Sequence, residues 1–315
     1  MQKVDDLVNK ALSRRSFLAG AGTVAATGMI AGCSNSTPAT TTTTTTVKYT
    51  DADILNFALN LEYLEAEFYL RAATGNGLAS ADTTGTGTLG TVTGGTKVPG
   101  LTTAQQAIIN EIAFDEQAHV QFLRKALGSA AVARPSLDLT FFGPLAMVAG
   151  ITAGATAFTP YDNFADFLIG AFIFEDVGVT AYHGAAGLIS AAGISAGLLT
   201  AAGGIMAVEA YHAAYVRTAI TGIDIAGGAA NLITIANKVA TLRATLGGGN
   251  ETQLKFPTSA ASPSAIVAAD TTNAIAFART TDQVHHIVYG SATVGASKGG
   301  FFPAGTNSIF SVTTT

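Results

Sequence analysis

Apolar residues recur at helical spacing through most of the chain after residue 50. Over 51–73 the positions Ile54, Leu55, Ala58, Leu61, Leu64 and Phe68 share a helical face, with Asp51 or Asp53 placed to cap the start. A second periodic stretch opens at Thr102 or Thr103 and stops at Gly128, directly after Leu127. A third starts near Tyr161 and Asp162 and runs through Phe164, Phe167, Leu168 and Phe172 towards Leu188, and a fourth covers 197–220. A fifth helix is expected over 229–246 and a shorter one over 280–289. Residues 74–100 are rich in Gly and Thr without periodicity, a loop long for a compact domain and so expected to be either mobile or functional. Residues 129–160, with Pro135, Pro144 and Pro160, read as a crossover connection, whereas the turn before the fourth helix is short. The expected fold is all-α: a four-helix bundle over 51–225, then an extra helix and an extended C-terminal tail over 226–315 that packs Phe301 and Phe302 on the bundle.

The first 33 residues read as an address. Ser13-Arg14-Arg15-Ser16-Phe17-Leu18 is a twin-arginine export signature, followed by an uncharged and mildly apolar stretch over 19–32. A permanent span needs roughly 20 strongly apolar residues, so 1–33 is expected to be a processed signal. It ends Ile30-Ala31-Gly32-Cys33, which resembles the lipobox of bacterial lipoproteins. That resemblance implies a lipid on Cys33 and an anchored protein, periplasmic or tethered to the outer membrane. Residues 34–50, all threonine over 40–46, cannot form a core and read as a tether.

Composition narrows the partners. The chain has 315 residues, 48% hydrophobic and 12% charged, enough for a sizeable core. Its net charge is −5 and no Lys/Arg cluster follows residue 15, so the electrostatic footprint of a nucleic-acid binder is missing. Cys33 is the single cysteine, and no intrachain disulfide can form.

The candidate chemistry lies in an internal repeat. Glu116 and His119 fall three apart on the second helix, and Glu209 and His212 three apart on the fourth. Residues three apart share a helical face, so each pair can aim a carboxylate and an imidazole at one ion. Both pairs continue to an arginine five residues beyond the histidine, Arg124 and Arg217. The first and third helices repeat as well: Glu62 is followed seven residues later by Tyr69, and Glu175 by Tyr182, two turns along the same stripe. Glu175 follows an apolar run over 167–174 that must be buried, where an unpartnered carboxylate is costly unless a metal, an arginine or a tyrosine meets it. Glu65, one turn from Glu62, is a rival ligand. Asp115 and Glu111 are expected to face solvent or Arg124, Asp176 and His183 to form an outer pair, and His285 and His286 to be packing or surface residues.

One glutamate from each of two helices plus Glu-x-x-His from each of the other two resembles the ligand set of the ferritin-like di-iron and di-manganese carboxylate proteins, over about 51–220. The run Leu59-Asn60-Leu61-Glu62-Tyr63-Leu64-Glu65-Ala66-Glu67-Phe68-Tyr69, with Gly300-Phe301-Phe302-Pro303 in the tail, is similar to exported bacterial ferritin-like proteins related to plant desiccation-related proteins. The resemblance implies that Glu62, Glu116 and His119 bind one ion and Glu175, Glu209 and His212 the other. Glu116 and Glu209 become the candidates for bridging, and Tyr69, Tyr182, Arg124 and Arg217 the groups that orient the ligands. Two iron or manganese ions are implied, iron slightly ahead, since carboxylate and imidazole suit both and no thiolate is available for softer ions. The implied activity is an envelope oxidoreductase acting on dioxygen, peroxide or ferrous iron, of ferroxidase, peroxidase or catalase type. The alternative is a non-catalytic, stress-protective or structural envelope protein on the same scaffold. Partners are then metal ions, a small oxidant and a membrane reached through the lipid on Cys33, with a homo-oligomer allowed. A closed iron-storage cage is disfavoured, because a lipid-tethered subunit with a substantial tail would be hard to close into a shell.

Overall fold

A computed structural model describes residues 49–154, 158–227, 231–255 and 266–314. Arg14, Arg15, Cys33 and nearly all of the threonine tether lie outside the described residues.

Among the described residues there are eight helices: α1 (Asp51–Thr74), α2 (Thr103–Leu127), α3 (Phe142–Val148), α4 (Phe164–Ala186), α5 (Ala191–Ser195), α6 (Leu198–Ile225), α7 (Leu232–Gly247) and α8 (Thr281–Tyr289). Local chemistry sets their ends. Thr50, and not Asp51 or Asp53, caps α1: its hydroxyl accepts from the Asp53 N–H at 3.2 Å while the Asp53 carboxylate accepts from the Thr50 N–H at 2.9 Å. Thr102 and Gln105 form the same reciprocal box at the start of α2. Helix α4 begins later than expected, because the Asn163 side chain accepts from the Asp166 N–H at 3.0 Å and so fixes the first turn there. Helix α7 is capped from outside by Asp224 at the end of α6, whose carboxylate accepts from the N–H groups of Leu232 and Ile233. Asp51 in turn binds Ser190, the cap residue of the short α5 that the sequence reading missed.

The bundle is two helix pairs. α1 lies along α2 and α4 along α6, and the pairs meet chiefly through α1 and α4. α7 packs against α4 and α6, and α8 against α7 and α4. In α1 only Leu55 and Arg71 escape burial over 54–73, as expected of a helix surrounded on all sides. That environment explains why α1 carries buried polar groups that fasten its surroundings. Asn56 bonds the backbone at Ala130 and Val132, Asn60 bonds Asn307 of the tail, and Glu67 pairs with Arg71 and Arg134.

The two long connections are clamped to each other, so 74–100 is a structural strap. Strand β1 (Val92–Thr93) pairs in parallel with β2 (Leu137–Asp138), Val92 opposite Leu137. Gly90 is needed nearby, since a Cβ there would lie 2.0 Å from the Ser136 nitrogen. The tail completes the cover, with Phe301 and Phe302 fully buried and the Asn307 side chain donating to Thr88 and Ala133 at 2.8 Å each. No helix among the described residues is long and apolar enough to cross a membrane.

Candidate metal centre

Each long helix delivers its share of one buried cluster: Glu62 from α1, Glu116 and His119 from α2, Glu175 from α4, Glu209 and His212 from α6. His119 Nδ1 lies 3.3 Å from Glu62, 3.4 Å from Glu116 and 3.4 Å from Glu209. His212 Nδ1 lies 3.0 Å from Glu116 and 3.5 Å from Glu175. The side chains form two groups with mutually close donor atoms, Glu62/Glu116/His119/Glu209 and Glu116/Glu175/His212. Glu116 belongs to both groups. Glu209, grouped in the sequence reading with Glu175 and His212, stands with His119 instead. Its carboxylate lies in the space left by Gly178, where a Cβ would be 2.4 Å from Glu209 Oε2.

The cluster fits metal ions by its unmet bonding capacity. Eight of its polar atoms are buried without a hydrogen bond of acceptable geometry: Glu62 Oε2, both oxygens of Glu116 and of Glu209, Glu175 Oε2, and the Nδ1 atoms of His119 and His212. Native interiors leave few buried polar groups unpaired, and these eight converge on one interior region.

Tyr69 and Tyr182 are exchanged between the repeats. The Tyr69 hydroxyl on α1 donates to Glu175 on α4, and the Tyr182 hydroxyl on α4 donates to Glu62 on α1. Each tyrosine therefore holds the carboxylate of the opposite helix, where the sequence pattern had placed it beside its own. The arginines depart from expectation altogether. Five residues past a histidine is 500° around a helix, about 140° from the histidine's direction, so neither arginine follows the ligand face. Arg124 donates to the Tyr63 hydroxyl and to the carbonyls of Thr84 and Ala81, anchoring the 74–100 strap. Arg217 donates to Asp176 at 2.8 Å and to the carbonyls of Thr252 and Ile266. Asp176 also meets Arg243, while His183 bonds the Phe277 carbonyl, so the expected Asp176–His183 pair does not form. His285 is fully buried against Phe57 as a packing residue.

Sequence reasoning missed Asp115, which turns from the surface to meet His212 Nε2 at 3.2 Å. Residue spacing on one helix carries no signal for it, because the contact runs to another helix. Glu65 is buried beside the cluster but outside both donor groups.

Burial and neighbouring charges shift the proton affinities of the cluster. Burial pushes Glu62 up to about 7, against the pull of His119. Burial raises Glu209 and Glu65 well above the usual carboxylate range, with neighbouring carboxylates adding to it. Burial opposes charge on Glu116 too, but the His119 and His212 imidazoles beside it outweigh that and hold it at about 2. Burial disfavours charge on the two histidines, yet Glu62 beside His119 and Glu175 beside His212 raise both, His212 to about 12.

The ferritin-like domain family matches residues 50–222, more than half of the chain and all four helices of this centre. The chain belongs to that family. This ferritin-like chain is 31% identical over 193 residues to desiccation-related protein PCC13-62 of Craterostigma plantagineum, covering 59% of this chain and 58% of the relative. It is 31% identical over 141 residues to ferritin-like catalase Nec2 of Nesocodon mauritianus, 44% of each chain. It spans less than two thirds of the length of either relative. No solved structure matches it.

Proposed function

We propose that this ferritin-like protein is a dinuclear iron or manganese oxidoreductase that consumes peroxide in the cell envelope, exported by the twin-arginine route and anchored through Cys33. The observation that carries the reading is the convergence in the protein interior of eight donor atoms without a hydrogen bond, from four glutamates and two histidines. The name of one relative, a ferritin-like catalase, favours peroxide over dioxygen or ferrous iron. When bound, two such ions would supply a two-electron redox couple for the disproportionation of two hydrogen peroxides to dioxygen and two waters. The chain's own part is to orient and to hold protons. Tyr69 and Tyr182 fix one oxygen each of Glu175 and Glu62, leaving the other oxygen for an ion. Glu116, common to both donor groups, would help to hold an ion in each of them.

The test is elemental analysis of the purified chain beside a Glu116→Ala, Glu209→Ala double variant, with dioxygen evolution from peroxide measured on both. About two Fe or Mn per chain in the unmutated protein is expected, with metal and activity lost together in the variant. No metal in either protein, at equal thermal stability, would remove the oxidoreductase reading. It would leave a protective envelope protein, the reading favoured by the longer match to a desiccation-related protein. Loss of lipid labelling in Cys33→Ser checks the anchor separately.

A further inference from the structure

The outer side of α2 carries a pattern that is symmetric about Ala118. Glu111, Phe114, Ala118, Phe122 and Lys125 are all exposed and fall three or four residues apart, so they form one stripe along the helix. Glu116 and His119 leave the same helix on its buried side. Phe114 is 53% exposed and Phe122 44%, and among the described residues no other phenylalanine is exposed. Glu111 and Lys125 have no ion-pair partner among the described residues. At about 100° and 1.5 Å per residue, Phe114 and Phe122 lie about 40° to opposite sides of Ala118, about 6 Å before and after it. Glu111 and Lys125 lie about 20° to opposite sides, about 10 Å before and after it. A two-fold axis through Ala118, normal to this face, reverses the helix direction and the side together. It therefore sets Phe114 of one copy opposite Phe122 of the other, and Glu111 of one copy opposite Lys125 of the other.

We propose that this stripe is an interface for a second copy of the same chain, the two α2 helices packing antiparallel across Ala118. A closed two-fold contact must be self-complementary, and the stripe meets that condition in shape and in charge. The alanine at the axis lets the two backbones approach to about 10 Å, with one phenylalanine pair on each side of it. The aromatic pairs lose their exposed surface to each other, and an opposite-charge pair closes each end of the contact. An anionic lipid surface would call for cations along the whole stripe, whereas this one carries a carboxylate at one end and an ammonium at the other. The inference does not rest on the dinuclear reading, because the stripe faces away from the buried cluster.

The experiment is sedimentation equilibrium of the full chain carrying Cys33→Ser, so that no lipid drives association. A dimer is expected. Ala118→Arg, which brings two like charges together at the axis, is expected to weaken it by at least about 100-fold. Val148→Arg, at an exposed position on α3, leaves it unchanged. Glu111→Lys and Lys125→Glu each create two like-charge contacts per dimer and weaken it by about 10-fold. The double variant Glu111→Lys, Lys125→Glu restores the dimer, a rescue that a general loss of folding would not give. In the same background Ala118→Cys closes a disulfide between two copies under mild oxidation, since the axis brings the two side chains together, and Val148→Cys does not. A monomer at every concentration, a dimer as tight in Ala118→Arg as in the unmutated chain, or a charge swap without rescue each overturns the inference. A monomer that binds phosphatidylglycerol vesicles through Phe114 and Phe122 would give the face to a lipid surface and overturn it as well. The metal content of the chain is a separate measurement, and none of these outcomes bears on it.

Discussion

Tyr69 and Tyr182 each give their hydroxyl to a carboxylate on the opposite helix, Glu175 and Glu62, and both carboxylates are buried. A buried acceptor stripped of its donor costs about 1–3 kcal/mol. Tyr69→Phe and Tyr182→Phe are each expected to lower the urea-unfolding free energy of the metal-free protein by that amount. Tyr211→Phe, at a position 76% exposed, changes it by less than about 0.5 kcal/mol. Equal effects at all three positions would show that the two hydroxyls do not hold the carboxylates. At this scale the buried carboxylate and histidine cluster was legible in the sequence, because Glu-x-x-His occurs twice and three-residue spacing has one meaning on a helix. The partners of those residues were not. Spacing places Tyr69 on the stripe of Glu62, yet which helix that stripe meets is a property of packing. Asp115 and Arg124 were misread for the same reason, one turning inward to another helix and the other outward to a loop.

Among the elements, α7 shows how the region beyond the bundle supports the centre. Arg243 on α7 is fully buried, donates to the Phe172 carbonyl of α4, and pairs with Asp176 and Glu251 at 2.8 and 2.7 Å. Its guanidinium also lies 4.6 Å from the Phe172 ring centre. Asp176 is the neighbour of Glu175, so this contact fixes α4 at the residue next to the buried cluster. Removing one partner of a buried ion pair costs about 3–5 kcal/mol, because the other charges remain buried. Arg243→Met is therefore expected to shift the urea midpoint far more than Thr102→Ala, which removes a helix cap worth about 1 kcal/mol. A smaller shift for Arg243→Met than for Thr102→Ala would mean that α7 docks by apolar contact alone. The long helices were legible from periodicity, whereas the short α3 and α5 were not. The strap over 74–100 was not, since its order comes from β2, Arg124 and Asn307, all far away in sequence.

For the whole molecule the buried charge links stability to pH. Glu62 is raised to about 7 from its ordinary value near 4.5, and Glu65, Glu175 and Glu209 are raised as well, burial being the first cause for each. A group with a raised folded pKa contributes stability that is complete below its unfolded value and is lost as pH rises through the folded one. His212, raised to about 12, acts in the same direction above its ordinary value of 6.5. Glu116, lowered to about 2, acts oppositely, but only below pH 4.5. The metal-free protein is thus expected to lose thermal stability steadily from pH 5 to 8. A metal displaces these protons and binds more tightly as pH rises, so the loaded protein should hold or gain stability over the same interval. Scanning calorimetry of both forms checks this, and parallel slopes would mean that no ion enters the cluster. The order of helices, the four glutamates and two histidines, and the two buried tail phenylalanines were all determined by the sequence itself, because they rest on local periodicity and on residue chemistry. Which tyrosine meets which glutamate, which side Glu209 joins, and which histidine receives an outer carboxylate were decided only by the tertiary structure. Those contacts run between helices whose relative rotation no local pattern encodes.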